Sequence, residues 1–510
     1  MKEIKIGKGK LILGNSLDYL KTLDSNSIDT VITDPPYGLS NHSEKIIREV
    51  LSKWLNGEED YVPKLKGFMS KSWDAFVPPP LFWKEVYRVV KPGATILVFA
   101  GSRTQDLMSM SLRLAGFEIK DCLMWIYASG FPKATDISKQ IDNKLGFQRN
   151  KVSIDKGAST KYLSNKGNYR PWMDDENHTV DDDNPISPEA KLWDGYKSHG
   201  LKPSYEPLIM AIKSNEKSYA DNALKWKVGG LNIDEGRIEY LSEEDRKSAI
   251  LQGRITTKDS KSGVGAAVGG TNNVELNREK WKQKQKGRFP SNVILECICD
   301  KVFTKEGKII KGKREGGIWK SRGKETEMIT YKNDEIIHTN PNCPCYMLDK
   351  QSGILNYATK PQKKDTGKTS MFGIGSPKNA NPMFYGKQNK GGASRFFYTA
   401  KASKSERNLG IDNNLSIHKR WNKSGEFKEI EFKGNIHPTV KPISLIKYLV
   451  KLTSMPNKEQ IYLDPFIGSG TTAIACEKLS KKWIGIEVDK EYFDIAIQRI
   501  KQEARQTKLL

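Results

Sequence analysis

The sequence predicts an α/β protein with a mostly parallel sheet that is covered by helices on both faces. The N-terminal part, to about Asn143, alternates short apolar runs with helix-like segments, which is the pattern of parallel strands joined by helices. The C-terminal part, from about His437, shows the same alternation. Between them lies a basic, irregular segment rich in Lys, Gly, Asn and Ser. The two α/β parts are therefore either separate domains or halves of one doubly wound sheet.

The elements of the N-terminal part follow from local signals. IDTVITD predicts a strand that ends at Pro35, because proline lacks a ladder N–H and holds φ at about −65°. PPPLFWKEVYRVVKPG predicts a helix that is entered through prolines and ends at Pro92 and Gly93. ATILVFAGS predicts a second strand, TQDLMSMSLRLAGF a second helix that ends at Gly116, and EIKDCLMWIYASG a third strand.

The remaining elements lie beyond a polar stretch. SYEPLIMAIKS, from Ser204 to Ser214, predicts another strand. The C-terminal part predicts a helix, the strand IYLDPF, a glycine turn, a helix, the strand WIGIEVD and a last helix.

Composition favours a polyanionic partner. The 510 residues, enough for two or more domains, carry a formal net charge of +23, and such a surplus favours nucleic acid, although a generally Lys-rich proteome is the alternative. The chain shows no signal-peptide pattern and no apolar run of membrane-spanning length, so we expect no membrane partner. Six cysteines are too few for a disulfide scaffold of this length, which predicts the reducing cytoplasm.

The C-terminal glycine turn predicts a nucleoside-containing cofactor. In LDPFIGSGTT, Gly468 and Gly470 follow a strand and Thr471 opens a helix. Glycines let the backbone approach a ligand closely, and a helix N-terminus favours an anionic or carboxylate group. About twenty residues on, Glu487 ends the next strand, where an acid can accept hydrogen bonds from ribose hydroxyls. The alternative is a structural turn beside a surface glutamate.

TDPPYG predicts a clamp for an exocyclic amine. The amine of a nucleobase is a poor nucleophile because its lone pair is delocalised into the ring. The Asp34 side chain and the Pro35 carbonyl can accept both amine hydrogens, and they can stabilise the positive charge that develops on nitrogen. Pro35 and Pro36 stiffen the backbone, and the Tyr37 ring offers a stacking face for a flipped base. The alternative is a turn that only ends the strand.

The two motifs together resemble a known family. TDPPYG near the N-terminus, with HPTVKP, LDPFIGSGTT and IGIE near the C-terminus, is similar to the β class of S-adenosylmethionine-dependent DNA amino-methyltransferases, the DNA methylase N-4/N-6 family. The resemblance covers roughly residues 1–145 and 435–503. It implies one Rossmann-like catalytic sheet, circularly rearranged, with a large inserted target recognition region. The implied divisions are 1–145 with the catalytic motif, 146–214 as a polar insertion returning to the sheet, 215–433 for target recognition, and 434–510 for the cofactor.

The resemblance also implies which residues form the site. Asn15 stands where family members often carry Asp, and Ile467 where a small residue is common. The implied catalytic residues are Asp34, Pro35, Pro36 and Tyr37. The implied cofactor-binding residues are Asn15, Thr439, Lys441, Asp464, Phe466, Gly468, Gly470, Thr471 and Glu487.

The implied activity is methyl transfer from S-adenosylmethionine to adenine N6 of a base flipped out of double-stranded DNA. Adenine is favoured because the motif begins with Asp34, whereas cytosine-specific members usually begin with Ser. Cytosine-N4 methylation and a catalytically inactive DNA-binding protein are the alternatives. Two further partners stay open at this stage, a second copy in a homodimer and a separate restriction endonuclease.

Two C-x-C pairs in the middle of the chain predict a metal site. Cys297 with Cys299, and Cys343 with Cys345, supply four thiolates for a structural zinc ion, with His338 as a substitute ligand. The usual C-x₂-C spacing is absent, and four apolar strand cysteines are the alternative.

Overall fold

The fold is described from a computed structural model of the chain. The described residues are 1–39, 42–64, 75–127, 134–153, 179–181, 184–240, 287–299, 302–305, 309–312, 328–331, 335–352, 393–401, 416–421, 427–432 and 440–507.

The strands of these residues are, in chain order, β1 (Lys2–Ile6), β2 (Gly9–Leu13), β3 (Ile28–Thr33), β4 (Val90–Phe99), β5 (Glu118–Ile126), β6 (Lys151–Ser153), β7 (Thr179–Asp181), β8 (Tyr205–Ile212), β9 (Ile238–Glu239), β10 (Gly287–Arg288), β11 (Val293–Cys297), β12 (Val302–Lys305), β13 (Ile309–Gly312), β14 (Met328–Tyr331), β15 (Glu335–His338), β16 (Tyr398–Lys401), β17 (Ser416–Trp421), β18 (Phe427–Phe432), β19 (Ile461–Asp464) and β20 (Lys482–Glu487). The helices are α1 (Ser16–Leu20), α2 (Glu44–Leu55), α3 (Pro80–Val89), α4 (Gln105–Leu114), α5 (Ile137–Lys144), α6 (Pro188–Leu192), α7 (Tyr219–Trp226), α8 (Pro344–Ser352), α9 (Ile443–Leu452), α10 (Thr471–Lys478) and α11 (Lys490–Thr507).

A ten-stranded sheet joins the two ends of the chain. Its strand order is β1-β2-β20-β19-β3-β4-β8-β5-β11-β16. The pairings from β2 to β4 and from β5 to β16 are parallel. The N-terminal strand β3 lies directly beside the C-terminal strand β19, with Leu463 opposite Val31. The α/β class and the mostly parallel, rearranged sheet are thereby confirmed.

Three strands depart from a simple strand–helix order. β8 inserts between β4 and β5 and is antiparallel to both. β11 and β16 come from within residues 215–433 and extend the sheet beyond β5. The segment predicted to read the target therefore also contributes strands to the central sheet.

The predicted C-terminal end of the helix in PPPLFWKEVYRVVKPG was wrong by a few residues. α3 ends at Val89 instead of Pro92 and Gly93. Val90 already has extended backbone angles and pairs with Ile28, so β4 begins there. Pro92 and Gly93 lie inside β4, where Gly93 has φ of 77°.

Helices pack on both faces of the sheet. Along β4, Leu97 and Phe99 join one core cluster and Ile96 and Val98 join the other, because alternate side chains of a strand point to opposite faces. The first cluster includes residues of α9, α10 and α11, and the second includes residues of α1 to α4. Among the described helices, none combines the length and the apolar character that crossing a membrane requires.

A buried leucine of the central strand tests this packing. Leu97 is fully buried in β4, so Leu97→Ala should lower the free energy of unfolding by about 2–5 kcal/mol through lost burial and a residual cavity. Leu224 is 73% exposed, and Leu224→Ala should change it by less than about 0.5 kcal/mol. Urea denaturation followed by circular dichroism measures both; equal effects would contradict the assigned burial.

Candidate active site

A cavity of about 430 Å³ opens where β3, β19 and β20 end. The strands are parallel, so their carboxyl ends lie at one edge of the sheet. The lining includes the predicted residues Asn15, Asp34, Pro35, Pro36, Tyr37, Lys441, Asp464, Phe466, Gly468, Thr471 and Glu487.

Two predicted residues are not among those lining residues. Gly470 caps the start of α10 with φ of 87°, and a side chain there would meet Ile500 at 3.0 Å. Its place in the structure is therefore the turn itself. Thr439 lies outside the described residues.

Asp34 belongs to a compact charged group. The Tyr37 hydroxyl donates to Asp34 Oδ1 at 2.6 Å and lies 3.1 Å from Glu206 Oε2. The Lys441 ammonium donates to Asp34 Oδ2 at 2.5 Å and lies 3.2 Å from Glu206 Oε2. The Lys441 side chain is only 6% exposed, so the group fixes the orientation of the Asp34 carboxylate.

The protonation of this group follows from burial and charge. Burial raises the pKa of Tyr37 well above its usual value, and the charges of Asp34 and Glu206 raise it further. Burial raises the pKa of Glu206. Burial lowers the pKa of Lys441, but the charges of Asp34 and Glu206 outweigh this and leave it above its ordinary value. Tyr37 is therefore neutral and Lys441 charged at neutral pH.

The sequence missed Glu206 and the contact of Lys441 with Asp34. Glu206 lies on β8, which was recognised only as a strand, and an acid in the otherwise apolar run YEPLIMAI was the available signal. Lys441 was predicted to contact the cofactor, whereas its ion pairs here are with Asp34 and Glu206. Its contact with a cofactor remains a prediction.

The backbone after Tyr37 is held rigidly. The Thr104 hydroxyl donates to the Tyr37 carbonyl at 2.6 Å. Gly38 has φ of 61°, and a Cβ there would lie 2.9 Å from Val77 N and 3.0 Å from Phe76 Cα. Only glycine fits such a conformation against neighbouring backbone, which explains the last residue of TDPPYG.

Asp464 connects the two halves of the site. Its Oδ1 accepts from the Thr33 hydroxyl at 2.7 Å and from the Phe466 N–H at 3.1 Å. Asp464 is 4% exposed, and this burial raises its pKa to about 6. Thr33, the first residue of TDPPYG, thus binds the acid of the cofactor motif, 431 positions away.

Glu487 organises the glycine turn. Its Oε2 accepts from Gly468 N–H at 2.9 Å and its Oε1 from Asp489 N–H at 2.8 Å. Burial raises the pKa of Glu487 to about 7. Each carboxylate oxygen has two acceptor sites, so both retain capacity for a ligand hydroxyl.

Asn15 and Ile467 have clear local roles. The Asn15 side chain caps α1 by accepting from Leu17 N–H at 2.8 Å and Asp18 N–H at 3.3 Å. Ile467 packs over Gly485, where an added Cβ would lie 2.0 Å from its Cδ1. Both also line the cavity.

The middle of the chain brings together a second group of predicted residues. Cys297, Cys299 and Cys343 meet His338, and all four are buried. Cys345 is buried beside them, with its sulfur 3.8 Å from the Glu296 carbonyl and 3.9 Å from the Thr399 hydroxyl. The group thus contains three of the four predicted cysteines and the predicted substitute ligand His338, and metal binding by these residues remains a prediction.

The fold and the cavity define an α/β protein with a ligand site at the carboxyl edge of a doubly wound sheet. Residues 28–498 match a family described as DNA methylase, the N6/N4 group. The chain belongs to this family, and the predicted resemblance is confirmed.

Individual relatives match over different lengths. Type II methyltransferase M.HindIII of Haemophilus influenzae is 42% identical over 269 residues, which are 48% of this chain and 72% of that protein. M.BglII of Bacillus subtilis is 47% identical over 68 residues, 13% of this chain and 18% of the relative. M2.DpnII of Streptococcus pneumoniae is 41% identical over 76 residues, which are 15% of this chain and 28% of that protein. The chain thus matches less than a third of the length of these last two.

Solved structures align over nearly the whole chain but only loosely. The M1.HpyAVI–SAM complex aligns with a TM-score of 0.31 and 12% identity over 96% of this chain and 98% of that one. The PvuII DNA methyltransferase, described as cytosine-N4-specific, aligns with a TM-score of 0.34 and 12% identity over 99% of this chain and 96% of that one. TM-scores this low do not establish detailed correspondence.

The raised pKa of Glu487 predicts a pH-dependent stability difference. The carboxyl is neutral in both states below about pH 4.5, whereas the folded protein resists its ionisation until about pH 7. The stability it contributes is therefore present at low pH and is lost as pH rises through this window. The unfolding free energy of the wild type minus that of Glu487→Gln should fall between pH 4.5 and 7.

Thermal unfolding of the two ligand-free proteins, measured by calorimetry across this range, gives the difference directly. The hydrogen bonds that glutamine cannot make change the wild-type minus variant difference by the same amount at every pH. They therefore do not produce its slope with pH. A difference that is flat or rises with pH would contradict the assigned ionisation.

Proposed function

We propose that the protein is a DNA methyltransferase that transfers a methyl group from S-adenosylmethionine to adenine N6. One observation carries the proposal. The carboxylate of the amine clamp, Asp34, lines the same cavity as Gly468 of the glycine turn and Glu487, which accepts a hydrogen bond from Gly468. Direct transfer between a base and a cofactor requires both sites to share one space.

The cavity suits a cationic nucleoside. The charged residues of its lining are the carboxylates Asp34, Asp464 and Glu487 and the ammonium of Lys441, an excess of negative charge that complements a sulfonium and an ammonium. Its volume of about 430 Å³ lies within the range of small-molecule sites. Glu487 keeps acceptor capacity for ribose hydroxyls, and Phe466 supplies an apolar wall. S-adenosylmethionine supplies, when bound, an electrophilic methyl group.

The amine clamp follows from the Asp34 group. Asp34 offers about four acceptor positions, of which Tyr37 and Lys441 occupy two. The remaining acceptor positions of the Asp34 carboxylate, together with the Pro35 carbonyl, accept the two hydrogens of an exocyclic amine. This localises the nitrogen lone pair and stabilises the charge that develops on nitrogen. The carboxylate can also accept the proton that the amine must then release.

Glu206 and Lys441 act as positioning residues in this proposal. Lys441 contacts both carboxylates and lies 4.9 Å from the Phe99 ring centroid and 5.5 Å from that of Tyr37. This buried ammonium holds Asp34 and Tyr37 in fixed relation, so that little reorganisation is needed when the base arrives.

Double-stranded DNA is the proposed partner. The net charge of +23 favours binding to the phosphate backbone with strong salt dependence. A second copy and a separate restriction endonuclease remain predictions from the sequence alone.

Replacing Asp34 tests the clamp. Asp34→Ala should lower methyl transfer by about 10³-fold or more and leave cofactor binding largely intact, because the glycine turn and Glu487 are unchanged. Asp24→Ala, at an exposed acid before the same strand, is the matched control and should keep full activity. Tritium transfer to DNA and calorimetry with S-adenosylmethionine measure the two properties; unchanged turnover in Asp34→Ala would falsify the proposed clamp.

The target base is decided by mass analysis of nucleosides from methylated DNA. We expect N6-methyladenine, because the motif begins with Asp34. Cytosine offers a similar exocyclic amine to the same acceptors. Detection of N4-methylcytosine would therefore support the methyltransferase activity but overturn the adenine assignment. Absence of both products together with absence of cofactor binding would indicate an inactive DNA-binding protein.

A further inference from the structure

Three separate segments meet where β11 ends. Cys297 is the last residue of β11 and Cys299 follows it, His338 is the last residue of β15, and Cys343 directly precedes α8. Their exposures are 2%, 1%, 7% and 0%. One ligand atom of each, three sulfurs and an imidazole nitrogen, lies within 4.8 Å of all the others.

The spacing of these atoms matches a tetrahedral metal site. Zinc bonds of about 2.3 Å to sulfur and about 2.1 Å to nitrogen place a sulfur and a nitrogen about 3.6 Å apart, and two sulfurs about 3.8 Å apart. Cys297 Sγ lies 3.5 Å from His338 Nδ1, and Cys299 Sγ lies 3.8 Å from the same nitrogen. Two of the sulfurs therefore already lie at nearly the required separation from the imidazole nitrogen, and all four ligand atoms lie within 4.8 Å of one another.

The surroundings favour thiolates over apolar packing. Cysteines that only fill a core behave as small hydrophobic groups, but here a buried imidazole nitrogen faces two of the sulfurs. The Asn340 N–H also points at Cys299 Sγ, 3.4 Å away, and hydrogen bonds of this kind support metal ligands from outside. All the cysteines of the described residues are free of disulfides.

We propose that Cys297, Cys299, His338 and Cys343 bind one structural zinc ion. Three thiolates and one imidazole fill a tetrahedral zinc shell and leave no open position, which is the pattern of structural and not catalytic zinc. None of the proposed methyl-transfer residues belongs to this site, and it extends the proposed function by assigning a stabilising role to the middle of the chain.

The zinc ion would attach the inserted segment to the central sheet. β11 lies between β5 and β16 in that sheet, whereas the partner of β15 among the described strands is β12, with Val302 opposite His338 in a two-stranded sheet. A two-stranded sheet is marginally stable in water. Among the described residues, the core cluster at the end of β11 has Leu295 and four cysteines as its buried members, so a metal would supply stability that apolar burial there does not.

Metal analysis of four variants tests the ligand set. The purified wild type should contain about one zinc ion per chain. Cys343→Ser and His338→Ala should lose most of it. Cys345→Ser should keep it, because that sulfur lies outside the assigned shell, and Cys476→Ser, at a buried cysteine of α10, is the control for the loss of a buried thiol. Inductively coupled plasma mass spectrometry gives the zinc content.

Cobalt replacement keeps the test independent of variant folding. Wild-type protein stripped by a chelator and reloaded with Co²⁺ should show thiolate-to-cobalt charge-transfer absorption and tetrahedral d–d bands. Wild type with neither zinc nor this cobalt spectrum overturns the proposal, as does a Cys343→Ser protein with full zinc. Zinc that persists in His338→Ala and disappears in Cys345→Ser overturns the assigned shell in favour of four thiolates. None of these readouts depends on methyl transfer.

Discussion

The parallel contact between β3 and β19 is the constraint on which the site depends. It is fixed at both ends by buried polar groups. Where the strands begin, Asp29 accepts from the Ile461 N–H at 2.7 Å, and Gln460 donates to the Thr30 hydroxyl at 3.0 Å. Where they end, the Thr33 hydroxyl donates to Asp464. A buried partner left unpaired costs about 1–3 kcal/mol, so a shifted register is disfavoured, and the two motifs are held at one edge of the sheet.

From this contact follows the electrostatic character of the cavity. Strand ends bring carboxylates together, and burial then raises the pKa of Asp464, Glu487 and Glu206. Lys441 offsets part of this charge by pairing with Asp34 and Glu206. A cationic ligand would offset more of it, because opposite charge favours the ionised carboxylates. The free-energy cost of bringing these acids together and the proposed affinity for a sulfonium ion therefore both arise from the same buried negative charge.

The two ends of the sheet are stabilised differently. Around β3, β4 and β19, apolar side chains from helices on both faces form large continuous cores, and burial alone accounts for their order. Beyond β5, the strands β11 and β16 come from a polar segment. On one face Ile294 and Ala400 still join the large core, whereas on the other face β11 adds Leu295 and Cys297 to a small cluster dominated by cysteines. Hydrophobic burial is limited there, and the Cys and His side chains at the end of β11 offer the alternative of metal ligation.

The sequence by itself determined the α/β class, the strands that carry TDPPYG and IGIE, and a set of site residues of which most line the cavity. These features are local: a proline ends a strand, a glycine turn opens a helix, and an acid follows a buried run. Only the tertiary structure decided that β8 separates β4 from β5, that Glu206 and Lys441 hold Asp34, and that His338 joins three cysteines. The physical reason is that these contacts join residues that are distant in the sequence, from 39 positions apart for Cys299 and His338 to 407 for Asp34 and Lys441. Such contacts depend on how strands pair across the sheet, and strand pairing leaves no periodic pattern in the chain.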